Sequence, residues 1–254
     1  MATWTIEFYA DDSGAMPCRA WMEDDLTDTQ RDALASALRL VLADQGIDVC
    51  RSQWGKALGQ GLYEFRLRHT AAEVEAMFGG APPGAKVGER ILLRVFFHPH
   101  GDRIVLLLGG YDKGDDPSER KQTREIATAR QRLADEGPGG STAAGTLTSY
   151  ESSPIMVGVA QSFDEYVRTS EKFDTPASRA RRAVFDHAYT IAMQVIALRE
   201  KRGLTQTQLA KLSGIAQSEI SRIERGSIHP TEPTLVKLAD ALGADLRLVE
   251  RAPA

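Results

Sequence analysis

Leu204-Thr205-Gln206-Thr207-Gln208-Leu209-Ala210, then Gly214-Ile215-Ala216-Gln217-Ser218-Glu219-Ile220-Ser221-Arg222-Ile223-Glu224-Arg225-Gly226, decides how the C-terminal half folds. Thr205 offers an N-cap hydroxyl to a helix over Gln206–Ser213. Gly214 breaks that helix and suits the left-handed conformation of a tight inter-helix turn. A second helix spans Gln217–Arg225 and stops at Gly226. Ala210 is small where the two helices cross, and Leu209, Ile215, Ile220 and Ile223 point inward. This spacing predicts a helix-turn-helix, whose second helix lies in the major groove. Its outward residues are Gln217, Ser218, Ser221 and Arg222. Gln bonds adenine bidentately, Arg bonds guanine, and Ser reaches a base edge or a phosphate. The alternative for Gln217 and Ser218 is a cap on their own helix. Glu224 is assigned to the fold, because a carboxylate near phosphates is repelled.

Working outward, Ala188 to Arg199 is apolar at helical spacing through Ile191, Val195, Ile196 and Leu198, with Gly203 beyond it. Pro230 and Pro233 open a further helix over Thr234–Leu242, with Leu235, Leu238 and Leu242 on one face and Gly243 after it. Together these segments resemble the Cro/repressor (XRE) family over roughly residues 188–249. The resemblance implies that Gln206 touches phosphate and that Gln217, Ser218, Ser221 and Arg222 face the groove.

The total charge argues the other way. The 254 residues hold 31 Lys+Arg and 35 Asp+Glu, a net of −4. The Gly-rich stretch from Gly137 through Thr146 reads as a flexible linker, and dividing the chain there resolves the conflict. Residues 1–136 hold 17 basic and 22 acidic residues, whereas Arg179 to Arg225 holds 9 basic and 4 acidic. The expected division is 1–136, a linker at 137–161, an extension at 162–182, and the DNA-binding unit at 183–254. Neither a signal peptide nor a long apolar run is read, so the expectation is a cytoplasmic protein without a membrane partner. Cys18 and Cys50 supply neither a disulfide framework nor a metal site; no metal and no cofactor is expected.

Before the linker the pattern is α+β. Trp4–Tyr9 alternates like a strand, and Asp28–Gln45 is helical through Leu34, Leu38, Val41 and Leu42. Leu62–Arg68, Arg90–Phe97 and Ile104–Tyr111 read as strands, and Pro117–Glu136 as a closing helix. His98 to Asp102 is read as a turn, and Thr70–Glu89 as an inserted loop.

This order, with Lys56–Arg66, Leu93–Phe97, Val105–Lys113 and Glu125–Ala129, resembles the RelE/ParE toxin superfamily, in particular its HigB-like branch. The resemblance implies a small antiparallel-sheet domain that cleaves mRNA on the ribosome without a metal. Arg66 and Arg94 would bind phosphate, Lys113 would neutralise the transition state or donate to the leaving 5′-oxygen, and Tyr111 would stack on a base or assist proton transfer. The bland alternatives are salt-bridged sheet arginines, a core tyrosine and a solvated lysine. Phe163, Tyr166 and Phe173 would hold the toxin half against the antitoxin half, or belong to an ordinary flanking helix.

The whole is read as a fused toxin–antitoxin: an endoribonuclease half, then an antitoxin half that binds operator DNA as a homodimer and represses its own gene. A transcription regulator carrying an inactive toxin-like module is the main alternative. A ParE-like gyrase inhibitor is another.

Overall fold

In a computed structural model of the chain, residues 3–85, 87–135 and 161–247 are described. The expected linker at 137–161, apart from Gln161, lies outside them, as do residues 248–254 of the expected DNA-binding unit. Five strands form one sheet in the order β1-β5-β4-β3-β2: β1 (Thr5–Phe8), β2 (Gly55–Gly59), β3 (Leu62–His69), β4 (Ile91–His100) and β5 (Ile104–Asp112). The sheet is mixed and not the antiparallel one expected: β1 runs parallel to β5, and the other pairs are antiparallel. With the helices, this makes a mixed α+β region followed by an all-helical C-terminal region.

One sheet face packs on α1 (Pro17–Asp24) and α2 (Asp28–Ala37), the latter continuing through a π-helical turn into α3 (Ala43–Gln45). Thr27 and Gln30 close a reciprocal capping box that starts α2. The other face is covered by α5 (Glu119–Asp135) through Ala129, Ile126 and Leu133. Two readings are corrected here. His98, Pro99 and His100 lie in β4, paired with Leu106, Val105 and Ile104; the turn is Gly101 to Arg103, where both end residues take positive φ. Residues 71–78 are not loop but α4 (Ala71–Phe78), started by a Thr70–Glu73 capping box and ended by left-handed Gly79.

Beyond residue 161, α6 (Phe163–Glu171) and α7 (Pro176–Lys201) join the sheet's core instead of standing apart. Phe163 and Tyr166 pack on Phe8, and Tyr189 meets Trp54 edge-on. Phe185, Tyr189, Met193 and Ile196 share one buried cluster with Phe65, Leu93 and Leu107. Full burial of each such aromatic or aliphatic side chain contributes about 2–3 kcal/mol of transfer free energy. The expected boundary at residue 183 therefore falls inside an unbroken helix, started by the Thr175 hydroxyl with Pro176 at its first position. The second half of α7, with α8 (Gln206–Ser213), α9 (Gln217–Glu224) and α10 (Glu232–Ala241), encloses a separate core of Val195, Leu209, Ile215, Ile220, Ile223, Leu238 and Leu242.

Candidate nucleic-acid interfaces

The α8–α9 pair is built from local signals. The Thr205 hydroxyl accepts from the Gln208 amide, Gly214 closes α8 at φ 69°, and α9 begins directly after Ala216. Behind the pair sits Glu224, buried, accepting from Arg199 Nε at 2.5 Å and Nη2 at 3.0 Å and from Gln206 Nε2 at 2.9 Å. Burial opposes the charge on Arg199, yet the bonded Glu224 carboxylate pushes its guanidinium above the ordinary arginine value. Gln217 Nε2 donates to Gln206 Oε1 at 2.8 Å, so the residues that open α8 and α9 are tied side by side at two helix N-termini, where backbone N–H groups favour an anion. Gln217, Ser218 and Arg222 are exposed, and Ser221 is half-buried.

The far end of α9 meets the sheet region. Gln53 Nε2 donates to the Ser221 carbonyl at 2.9 Å, and Trp54 Nε1 donates to the Glu224 carbonyl at 2.8 Å. Glu73 Oε1 faces Arg222 at 3.5 Å and Arg225 at 3.3 Å. Beneath them His69 is buried, with Nε2 2.9 Å from the Tyr189 hydroxyl and Nδ1 3.2 Å from Ser227 Oγ. Burial pulls the His69 imidazole down to about 4. Gln53, Trp54, His69 and Glu73 were not singled out in the sequence. Only Glu73 carried a signal, as the fourth residue of the Thr70 capping box.

The sheet aligns the second candidate set. Arg66, Arg94 and Tyr111 are opposite one another on β3, β4 and β5, forming one rung. Two of its three residues are covered, and both arginines face a carboxylate. Arg94 is 8% exposed and Tyr111 3%, the latter stacked on Phe96 in the cluster under α5. Buried Glu64 accepts from Arg66 Nε at 2.6 Å and lies 3.8 Å from Arg94 Nε. Burial lowers the Arg94 guanidinium's ordinary value, and burial followed by Glu64 raises the Tyr111 phenol to about 12. Tyr111 is thus a protonated phenol at neutral pH. Among the described residues its hydroxyl has no hydrogen-bond partner. Lys113 stands apart, donating to Gln122 at 3.4 Å.

Of the three aromatic residues expected to hold the two halves together, Phe163 and Tyr166 are buried against Phe8. Phe173 departs from that expectation: it is 82% exposed and packs into neither core, because α6 ends at Glu171. Among the described residues no group of three or more His, Cys, Asp or Glu side chains is placed to hold a metal ion, and no helix is long and apolar enough to cross a membrane.

Residues 195–249 match the helix-turn-helix family model HTH_3, so the C-terminal part of this chain is a helix-turn-helix domain of the XRE type. The chain is 43% identical over 56 residues to an HTH-type transcriptional regulator of Haemophilus influenzae, covering 22% of this chain and 57% of that one. It is 52% identical over 50 residues to the HTH-type transcriptional repressor RghR of Bacillus subtilis, covering 19% of this chain and 37% of that one. It is 35% identical over 60 residues to the immunity repressor protein of Bacillus phage phi105, covering 24% and 42%. The chain thus spans less than two thirds of the length of each of these relatives. A solved HTH_3-family transcriptional regulator from Vibrio cholerae is 39% identical over 23% of this chain and 33% of that one, with a TM-score of 0.23.

Proposed function

We propose that this chain is a DNA-binding transcription regulator in which α9 enters the major groove of an operator. Gln217, Ser218, Ser221 and Arg222 read base edges, and Gln206 anchors a phosphate. The observation that carries this reading is the α8–α9 unit itself. Its core is closed, its buried Glu224 is locked by Arg199 and Gln206, and its polar residues Gln217, Ser218 and Arg222 are left outward. The names of the relatives, a repressor and regulators, support the same reading. A homodimer on a palindromic site, repressing its own gene, is the arrangement such a domain suits. The test is a gel shift with duplexes selected by the full chain from a randomised pool. Gln217→Ala combined with Arg222→Ala abolishes the shift, whereas an unchanged shift refutes the groove assignment.

The second reading is the fused toxin–antitoxin, favoured by one observation: Arg66, Arg94 and Tyr111 share a rung. On that reading the arginines stabilise the charged phosphorane as a 2′-hydroxyl, losing its proton to water, attacks the adjacent phosphate and the P–O5′ bond breaks, leaving a 2′,3′-cyclic phosphate and a protonated 5′-hydroxyl. The regulator stands first because Glu64 already pairs with Arg66 and faces Arg94, and α5 buries Tyr111. Expressing residues 1–136 alone separates the two, with circular dichroism reporting whether the fragment folds without α6 and α7. Growth arrest with mRNA cleavage, abolished by Arg94→Ala, supports the toxin; a folded fragment without either effect leaves an interaction module.

A further inference from the structure

The last turn of α9 is occupied from outside its own domain. Gln53 donates from its amide to the Ser221 carbonyl at 2.9 Å, and its amide oxygen lies 3.4 Å from Ser221 Oγ. Glu73 is fixed in the same neighbourhood. Its Oε2 accepts from the Thr70 amide at 2.9 Å and lies 3.1 Å from the Thr70 hydroxyl, leaving Oε1 to face Arg222 and Arg225. Burial works against the Glu73 carboxylate, but the Thr70 bonds and Arg225 hold its value below the ordinary one. An amide with donor and acceptor together is the chemistry of a base edge, and a fixed anion between two guanidinium groups is the chemistry of a backbone phosphate. Two of the four proposed groove residues, Ser221 and Arg222, are therefore already engaged.

We infer that the N-terminal domain is an intramolecular mimic of DNA: Gln53 and Glu73 hold on α9 the places of a base edge and a phosphate, so docking and operator binding exclude each other. The inference rests on the proposed reading of α9 as the groove helix. A major groove about 12 Å wide admits the helix and little else, so the loop bearing Gln53 and the start of α4 must leave before DNA enters. The docked chain is the DNA-free state. DNA weakens the seam by the same factor that the seam weakens DNA binding. Whatever pulls the N-terminal domain away from α9 raises operator affinity.

The test uses the full chain. Glu73→Gln keeps the capping box, because Gln serves at that position, and removes the charge. Gln53→Ala removes the second contact, and Asp102→Asn, in the exposed hairpin turn, controls for the loss of one acid. Selection by the double variant from randomised duplexes of about 30 bp, roughly three helical turns, supplies the probe. The double variant binds this duplex about tenfold more tightly than the unaltered chain, while Asp102→Asn changes affinity less than about twofold. Equal or weaker binding by a folded double variant overturns the mimic. No selectable duplex for any variant, with Arg222→Ala without effect on residual binding, overturns the DNA reading and the mimic with it. A second readout needs no variant: saturating the unaltered chain with the duplex raises hydrogen exchange in residues 49–54 and 70–78. Unchanged protection there also overturns the mimic.

Discussion

Arg222 on α9 and Arg94 on β4 are both arginines that sequence alone points at nucleic acid, and the structure treats them in opposite ways. Arg222 stands exposed at the surface, held by one carboxylate from another domain at 3.5 Å. Arg94 is buried within the rung, beside a carboxylate of its own sheet that is itself buried. The first arrangement can be undone by shifting the Gln53 loop and the start of α4 off α9. The second can be undone only by opening a core. Residue type supplies a chemistry, and burial decides whether a ligand can use it.

The comparison breaks most sharply at the shared core. Tyr189→Ala removes a buried ring that meets Trp54, His69 and Phe185, and costs about 3–5 kcal/mol. Thermal melting then shows one transition lowered for sheet and helices alike. If the sheet region melts unchanged, α7 is not part of its core. Glu64→Ala leaves Arg66 and Arg94 without their buried partner, and the expected loss is about 3 kcal/mol in chemical denaturation. A loss under about 1 kcal/mol would place the rung on an accessible, water-filled surface and revive its catalytic reading.

His69 gives a pH dependence. Its folded value lies near 4, against an ordinary 6.5, so below pH 6.5 the unfolded chain takes up a proton that the folded chain refuses. Stability is therefore highest above pH 6.5 and falls as pH drops towards 4, by on the order of 2–3 kcal/mol. His69→Gln flattens the melting temperature across that window; an unaltered slope in this variant means that another group sets it. The smallest effect belongs to the exposed end of α9. Gln217→Ala changes stability by less than about 0.5 kcal/mol, since its side chain lies outside the core. A larger loss would mean that the hydrogen bond from Gln217 to Gln206 is needed to hold the Glu224 lock.

The helix-turn-helix was legible because its signals are local: a Thr205 cap, an unavoidable turn at Gly214, and apolar spacing within twenty residues. Four of the five strands were legible for the same reason, through alternation, whereas β2 (Gly55–Gly59) was not read as a strand. Thr70–Glu73 was also a local signal, but the Gly and Pro residues at 79–84 drew the whole segment into the loop reading. His98 and His100 looked like turn residues beside Pro99 and Gly101, whereas their strand state follows from pairing with β5. Glu64 lies two residues from Arg66 on the same strand face, so a period of two could have exposed their pairing. The docking of α6 and α7 on the sheet, and of Gln53 and Glu73 on α9, joins residues more than a hundred positions apart. No periodicity carries that information.

The most direct measurement of groove reading by α9 is a repeat of the duplex selection with Arg222→Ala. Loss of one side chain to a base costs about 1–3 kcal/mol and relaxes preference at one position of the site, leaving the others intact. That outcome is the prediction. An identical selected sequence bound with identical affinity, or a uniform loss at every position with no change in preference, would contradict base reading by α9.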